Sequence, residues 1–207
     1  MLPVALVVAA YLLGSIPFSF FVVKLVAGAD IRQHGSRNVG ATNVARSFGR
    51  LPGVVALILD GAKGWAAVWV ARWIVARPEW AAPVRSASFW ITLVAVIAVL
   101  AHMFPVWLRF HGGKGVATAT GAFLAIDPKA LGAGLLVFAI VILATRIVSL
   151  ASILSAASIP IFLRFLTHAP FWTVVLSIVI SVAIIVKHHS NIARLAQGSE
   201  RKMGERK

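Results

Sequence analysis

SASFWITLVAVIAVLAHMFPVWL, residues 86–108, runs for 23 positions without a charged side chain. A helix of that length rises about 35 Å, enough to cross a hydrocarbon core of about 30 Å. Further uncharged stretches lie on either side, at 3–23, 130–145, 147–163 and 169–186. In all, 60% of the residues are hydrophobic and the mean hydropathy is +0.92. A soluble domain is built from roughly 45–50% apolar residues, so the excess must face lipid. The fold class that follows is an all-α integral membrane protein.

The spans expected are 3–25, 52–77, 86–107, 115–126, 130–145, 147–165 and 170–187. The fourth, at twelve residues, would rise only about 18 Å. Charge decides how it is counted. With seven crossings, one face collects Lys24, Arg32, Arg37, Arg46, Arg50, Arg109, Lys114, Arg146 and the basic residues from Lys187 to Lys207. The other face holds only Arg77, Arg85, Lys129 and Arg164. The positive-inside rule then places the N-terminus outside and the C-terminus in the cytoplasm. No positive region precedes the first apolar run, which reads as a retained span rather than a signal peptide. The chain reads as one polytopic domain, 1–207, with a short basic tail from about 195.

The formal charge of +14 comes from 20 Lys and Arg against 6 Asp and Glu. Most of it is the bias of any polytopic protein, with a share for anionic substrates or lipid head groups. Nucleic acid is not an expected partner, because the basic residues are scattered over short loops. Cysteine is absent, which excludes thiol nucleophiles, disulfides and cysteine metal sites. The seven tryptophans suit the membrane interface.

Three segments are too polar to be passive membrane protein, and this topology puts all three on the cytoplasmic side. The first, His34 to Arg46, contains Ser36, Asn38, Thr42 and Asn43 between Arg37 and Arg46. Arginine suits bidentate phosphate contact, although such residues also make ordinary turns and helix caps. The second is Phe110-His-Gly112-Gly113-Lys114-Gly115-Val-Ala-Thr118. Glycines let the backbone approach an anion, and the helix that follows aims its positive end at the same place. A Walker A loop is excluded, since Leu108 and Gly115 stand where that pattern needs Gly and Ser or Thr. In the third, His188, Asn191 and Arg194 recur every three residues and share a helical face. No carboxylate or further histidine has the spacing to complete a metal site there, so no metal is expected. Asp60 and Lys63, at i and i+3 inside the second span, can pair. Buried charges in a membrane are candidates for function, and an ion pair that orients the site is an equal reading. His102 is either a structural histidine or a ligand.

Together these segments resemble the acyl-phosphate-dependent glycerol-3-phosphate acyltransferases of bacteria, the PlsY type. That family's first motif reads Ser-Gly-Asn-x-Gly-Ala-Thr-Asn with an arginine shortly after. Ser36 to Asn43 and Arg46 match it, except for Arg37 in place of the glycine. A bulky residue matters there mainly if φ is positive. The second motif, His-x-Phe-Pro followed by Gly-Gly-Lys-Gly-Val-Ala-Thr, is met by His102, Phe104, Pro105 and Gly112 to Thr118. The third is met by His188, Asn191, Ile192, Arg194, Leu195, Gly198 and Glu200, with His189 where the family often carries arginine. The similarity spans essentially the whole chain.

The resemblance implies seven transmembrane helices in a bacterial inner membrane, with the active site facing the cytoplasm. It implies acyl transfer from a long-chain acyl phosphate to glycerol 3-phosphate, giving lysophosphatidic acid and inorganic phosphate. Acyl phosphate is already activated, so direct attack without an acyl-enzyme is expected, and no cofactor. On this reading Ser36, Arg46, Lys114, His188 and Asn191 are catalytic. Asn38, Thr42, Asn43, Gly112, Gly113, Gly115 and Arg194 bind substrate, with the glycine loop and Lys114 taking the acyl-phosphate head group. Asp60, Lys63, His102 and Glu200 orient the rest. The base is either His188 or a substrate phosphate oxygen. Besides its substrates and the bilayer, a passing contact with the enzyme that supplies acyl phosphate is expected. A transporter for a small phosphorylated metabolite is the competing reading.

Overall fold

The computed structural model describes residues 2–77 and 86–205. Arg85, Arg206, Lys207 and Trp80, which entered the reading of charge and aromatic placement, lie outside them. Ten α-helices, and no strand, occur among the described residues: α1 (Leu2–Ser15), α2 (Phe18–Ala27), α3 (Ala41–Phe48), α4 (Arg50–Val75), α5 (Ala87–Met103), α6 (Val116–Ile126), α7 (Pro128–Thr145), α8 (Val148–Phe165), α9 (Phe171–Lys187) and α10 (His189–Ala196). Five spans among them are long and apolar enough to cross a membrane, beginning with α1 and α2 taken as one, Leu2–Ala27. The α9–α10 pair, bent by 58°, makes a sixth if counted as one span. The expected fourth span is α6, whose eleven residues rise about 16 Å. The molecule is an all-α integral membrane protein.

The chain forms two compact units, Met1–Ile126 and Asp127–Lys207. In the first unit the helices approach through small residues. A methyl added to Gly14 would meet the backbone of Ala98, one on Gly64 the backbone of Thr118, and one on Gly121 the backbone of Gly61. Close packing of this kind drives helix association in lipid, where hydrophobic contrast is missing. The first apolar run is not one straight span, because Pro17 has no N–H to continue the ladder and restricts Ile16. Lys63 Nζ donates to the Ile16 carbonyl at 2.7 Å, satisfying the break from α4. At the far end of short α6, Arg72 Nη1 donates to the Ala125 carbonyl at 2.6 Å. A cation at a helix C-terminus is the favourable sign.

In the second unit Asp127 caps α7, accepting from the N–H groups of Lys129 and Ala130, with Pro128 opening the helix. Pro160 inside α8 leaves the carbonyl four residues earlier, on Ala156, without its helical donor. Ser181 of α9 donates to that carbonyl at 2.6 Å. Hydrocarbon offers no water, so such groups must be satisfied by protein. Leu135, Leu136, Ile140 and Leu143 of α7 are exposed, as lipid-facing residues should be.

Candidate active site

Within the first unit, Ser36 to Arg46 form a loop that turns into α3. Its organiser is Asn43, which is buried. The Asn43 Nδ2 donates to the carbonyls of His34 and Asn38 at 3.0 Å each, and its Oδ1 accepts from the Ser36 N–H at 2.9 Å. Both amide donors are used inside the loop, so Asn43 shapes the loop. Val39 and Val44 are buried in a core with Val22, Val23 and Ile31, which anchors the loop from below. Ser36, Thr42 and Arg46 are exposed. Thr42 and Arg46, four apart on α3, share its outer face.

Arg37 has φ 61. The left-handed region costs an L-residue roughly 1–2 kcal/mol. Glycine would adopt it freely, so the arginine carries a backbone cost here that the glycine of the family motif would not. The Arg37 side chain is exposed.

The second loop folds back on the end of α5. After the turn at Pro105, Arg109 and Phe110 both take positive φ, 52 and 63, and the chain returns beside residues 102 and 103. The Gly112 N–H donates to the Met103 carbonyl at 3.2 Å and the Gly113 N–H to the His102 carbonyl at 3.1 Å. These two N–H groups are therefore engaged by the end of α5. The expectation that they would point at an anion is corrected: what both glycines supply is close approach. A methyl on Gly112 would overlap the His102 carbonyl and Pro105, and one on Gly113 the His102 ring and the Val39 carbonyl. The two polar loops thus meet at Gly113 and Val39. Lys114 is half-buried, and Gly115, φ 81, leads directly into the first turn of α6.

Beneath this junction lies a buried ion network. Asp60 and Lys63 pair at 2.9 Å, as their spacing predicts. Ser19 Oγ donates to Asp60 Oδ2 at 2.7 Å, and His102 Nδ1 lies 3.5 Å from Asp60 Oδ1. All four side chains are buried.

In the second unit, Asn191 and Arg194 converge on Glu200. Asn191 Nδ2 donates to Glu200 Oε1 at 2.5 Å, Arg194 Nε to Oε2 at 2.6 Å, and Ser149 Oγ to Oε1 at 2.8 Å. Burial pushes the Glu200 carboxyl upward, but the three donors outweigh it and hold its pKa below the ordinary range. His188 is buried at the bend before α10, with Nδ1 2.7 Å from the Ile184 carbonyl. A carbonyl only accepts, so Nδ1 carries a proton.

The family model described as "Glycerol-3-phosphate acyltransferase" matches residues 4–198. This chain belongs to the glycerol-3-phosphate acyltransferase family. Relatives of that name include one from Anaeromyxobacter sp. (strain Fw109-5), 42% identical over 205 residues that cover 98% of this chain and 97% of the relative. Another, from Thermosynechococcus vestitus, is 42% identical over 94% of this chain and 92% of its own length. Two solved structures of the integral membrane glycerol 3-phosphate acyltransferase PlsY are also similar. Its glycerol 3-phosphate form matches with a TM-score of 0.88 at 40% identity, covering 99% of this chain and 96% of that one. Its lysophosphatidic acid form matches with a TM-score of 0.86 at 38% identity, over the same shares.

For this member of the glycerol-3-phosphate acyltransferase family, two polar groups escaped the sequence reading. Ser19 lies in the first apolar run and Ser149 at the start of α8. A serine in an apolar helix commonly bonds its own backbone, so neither carried a signal until its carboxylate partner came into place.

Proposed function

We propose that this protein transfers a long-chain acyl group from acyl phosphate to the primary hydroxyl of glycerol 3-phosphate, giving lysophosphatidic acid and inorganic phosphate. The observation that carries this reading is the junction of two donor-rich loops at Gly113 and Val39, in a chain of this family. Both substrates bear a phosphate, and one also bears a lipid tail. A membrane-embedded unit that brings Arg46 and Lys114 onto adjoining loops suits such a pair.

Acyl phosphate is a mixed anhydride, so no enzyme nucleophile is needed. The glycerol oxygen attacks the carbonyl carbon, the bond from that carbon to the phosphate oxygen breaks, and phosphate leaves. Catalysis is then alignment plus stabilisation of developing negative charge. Lys114 and the first turn of α6 serve one phosphate, while Ser36, Asn38, Thr42 and Arg46 serve the other. Gly112, Gly113 and Gly115 contribute by allowing the loop to seat. In the second unit Glu200 holds Asn191 and Arg194, and it is the resemblance that gives His188, Asn191 and Arg194 roles toward substrate. The hydroxyl proton goes either to His188 Nε2 or to a substrate phosphate oxygen. The reading includes seven crossings, with α6 among them, and polar loops on the cytoplasmic face of a bacterial inner membrane, where the donor-supplying enzyme can reach them.

Phosphate release by purified protein tests this, using palmitoyl phosphate with and without glycerol 3-phosphate. Release should require the acceptor and fall by about 100-fold or more in Lys114→Ala. The KM values of milder Lys114 and Arg46 variants would show which loop serves which substrate. Turnover with acyl-CoA or acyl carrier protein but not acyl phosphate would overturn the donor. Silence of folded protein with every donor would favour transport.

A further inference from the structure

The ion network under the loop junction has no part in the chemistry above, yet its placement is specific. It joins four pieces of the first unit: the broken α1–α2 span through Ile16 and Ser19, α4 through Asp60 and Lys63, the last turn of α5 through His102, and the second loop through Gly113. His102 touches the loop directly. Its carbonyl takes the Gly113 N–H, and its ring occupies the space a Gly113 side chain would need. The same space borders the Val39 carbonyl of the first loop. The cavity left between the network and the loops is about 10 Å³, room for one water at most.

We propose that His102 is a positioning residue for acyl transfer. Asp60, neutralised by Lys63 and steadied by Ser19, fixes the imidazole. The imidazole and its backbone carbonyl then set the height of Gly113, and with it the position of Lys114 relative to the first loop. The histidine acts through Lys114 and does not touch substrate. This role rests on the reading that Lys114 holds a substrate phosphate, though not on which acyl donor is used.

Two single variants separate the parts of the device. His102→Phe keeps the ring that props Gly113 but loses the nitrogen facing Asp60. His102→Asn keeps a donor near the place of Nδ1 but loses the ring. Each should melt and elute from size exclusion as wild type does. Each should also raise the KM of the substrate bound by Lys114 by about tenfold and lower kcat by a further tenfold or more, since misplacements near 1 Å cost about 100-fold. The other KM should stay within about threefold of wild type. A loss of folded protein would lower kcat alone and leave both KM values unmoved.

The decisive readout is a cycle with Lys114→Arg. If His102 acts through Lys114, the double variant loses kcat/KM by less than the product of the single losses, by about tenfold or more. Additive losses would overturn the proposal. So would wild-type kinetics in either single variant, or the disappearance of one limb of the pH profile, which would put His102 in the chemistry itself. All assays use whichever acyl donor the wild type turns over, so a failed donor assignment and a failed positioning role give different results.

Discussion

Arg37 shows at the scale of one residue what a motif comparison means physically. The backbone there is left-handed, so the arginine adopts a conformation that glycine takes without strain. Arg37→Gly should therefore stabilise the protein by about 1 kcal/mol, less what glycine returns to the unfolded chain. Arg37→Ala should give no such gain, and thermal melting in detergent checks both. Glu200 gives a second prediction. Its folded pKa lies below the ordinary value near 4.5, so the folded state binds the proton less readily than the unfolded chain. The stability it supplies is complete above the unfolded pKa and is lost as pH falls through the folded one. Melting temperature should drop as pH falls below about 4.5, and part of that drop should vanish in Glu200→Gln. An equal acid sensitivity in the variant would contradict this. The charged and amide residues of these clusters were legible in the sequence as candidates. Which of them meet substrate and which serve one another was not, because a side chain's partners are set by packing.

Whole helices were the most legible level. The seven expected stretches fall on helices α1 with α2, α4, α5, α6, α7, α8 and α9, with ends that agree to within a few residues, and five of these, or six with the bent α9–α10 pair, are long and apolar enough to cross. Long apolar runs bounded by charge leave little alternative in a bilayer. Two departures have one cause, proline. Pro17 splits the first span and Pro160 frees a carbonyl in α8, and in each case a side chain from another helix, Lys63 or Ser181, donates to the carbonyl involved. The sequence shows the prolines but not their rescuers. Helix contact in the first unit depends on glycines, most closely where Gly121 of α6 meets Gly61 of α4. Gly121→Ala should force these helices apart and cost about 1–3 kcal/mol. Gly132→Ala, at a position with open space, should be nearly neutral. Comparable losses at both sites would mean that close contact is not what sets the cost, since helix propensity by itself favours alanine.

For the molecule as a whole, the sequence determined the solvent and the chemistry on offer. Its hydropathy required a bilayer, because that much apolar surface cannot be buried in a chain of 207 residues. Its polar segments, in order and spacing, carried the resemblance to the family that the chain belongs to. If phosphate binding at the loops is electrostatic, activity should also fall as salt is raised, with KM rising before kcat changes. A salt-independent KM would argue against cation-led binding. Only the tertiary structure decided how those residues are used. It turned Asn43 inward to hold its own loop, committed the Gly112 and Gly113 N–H groups to the end of α5, and set His102 between Asp60 and Gly113. The physical reason is range. Hydropathy and motif spacing are properties of neighbours along the chain, whereas each of these assignments depends on groups that only packing brings within hydrogen-bonding or van der Waals reach.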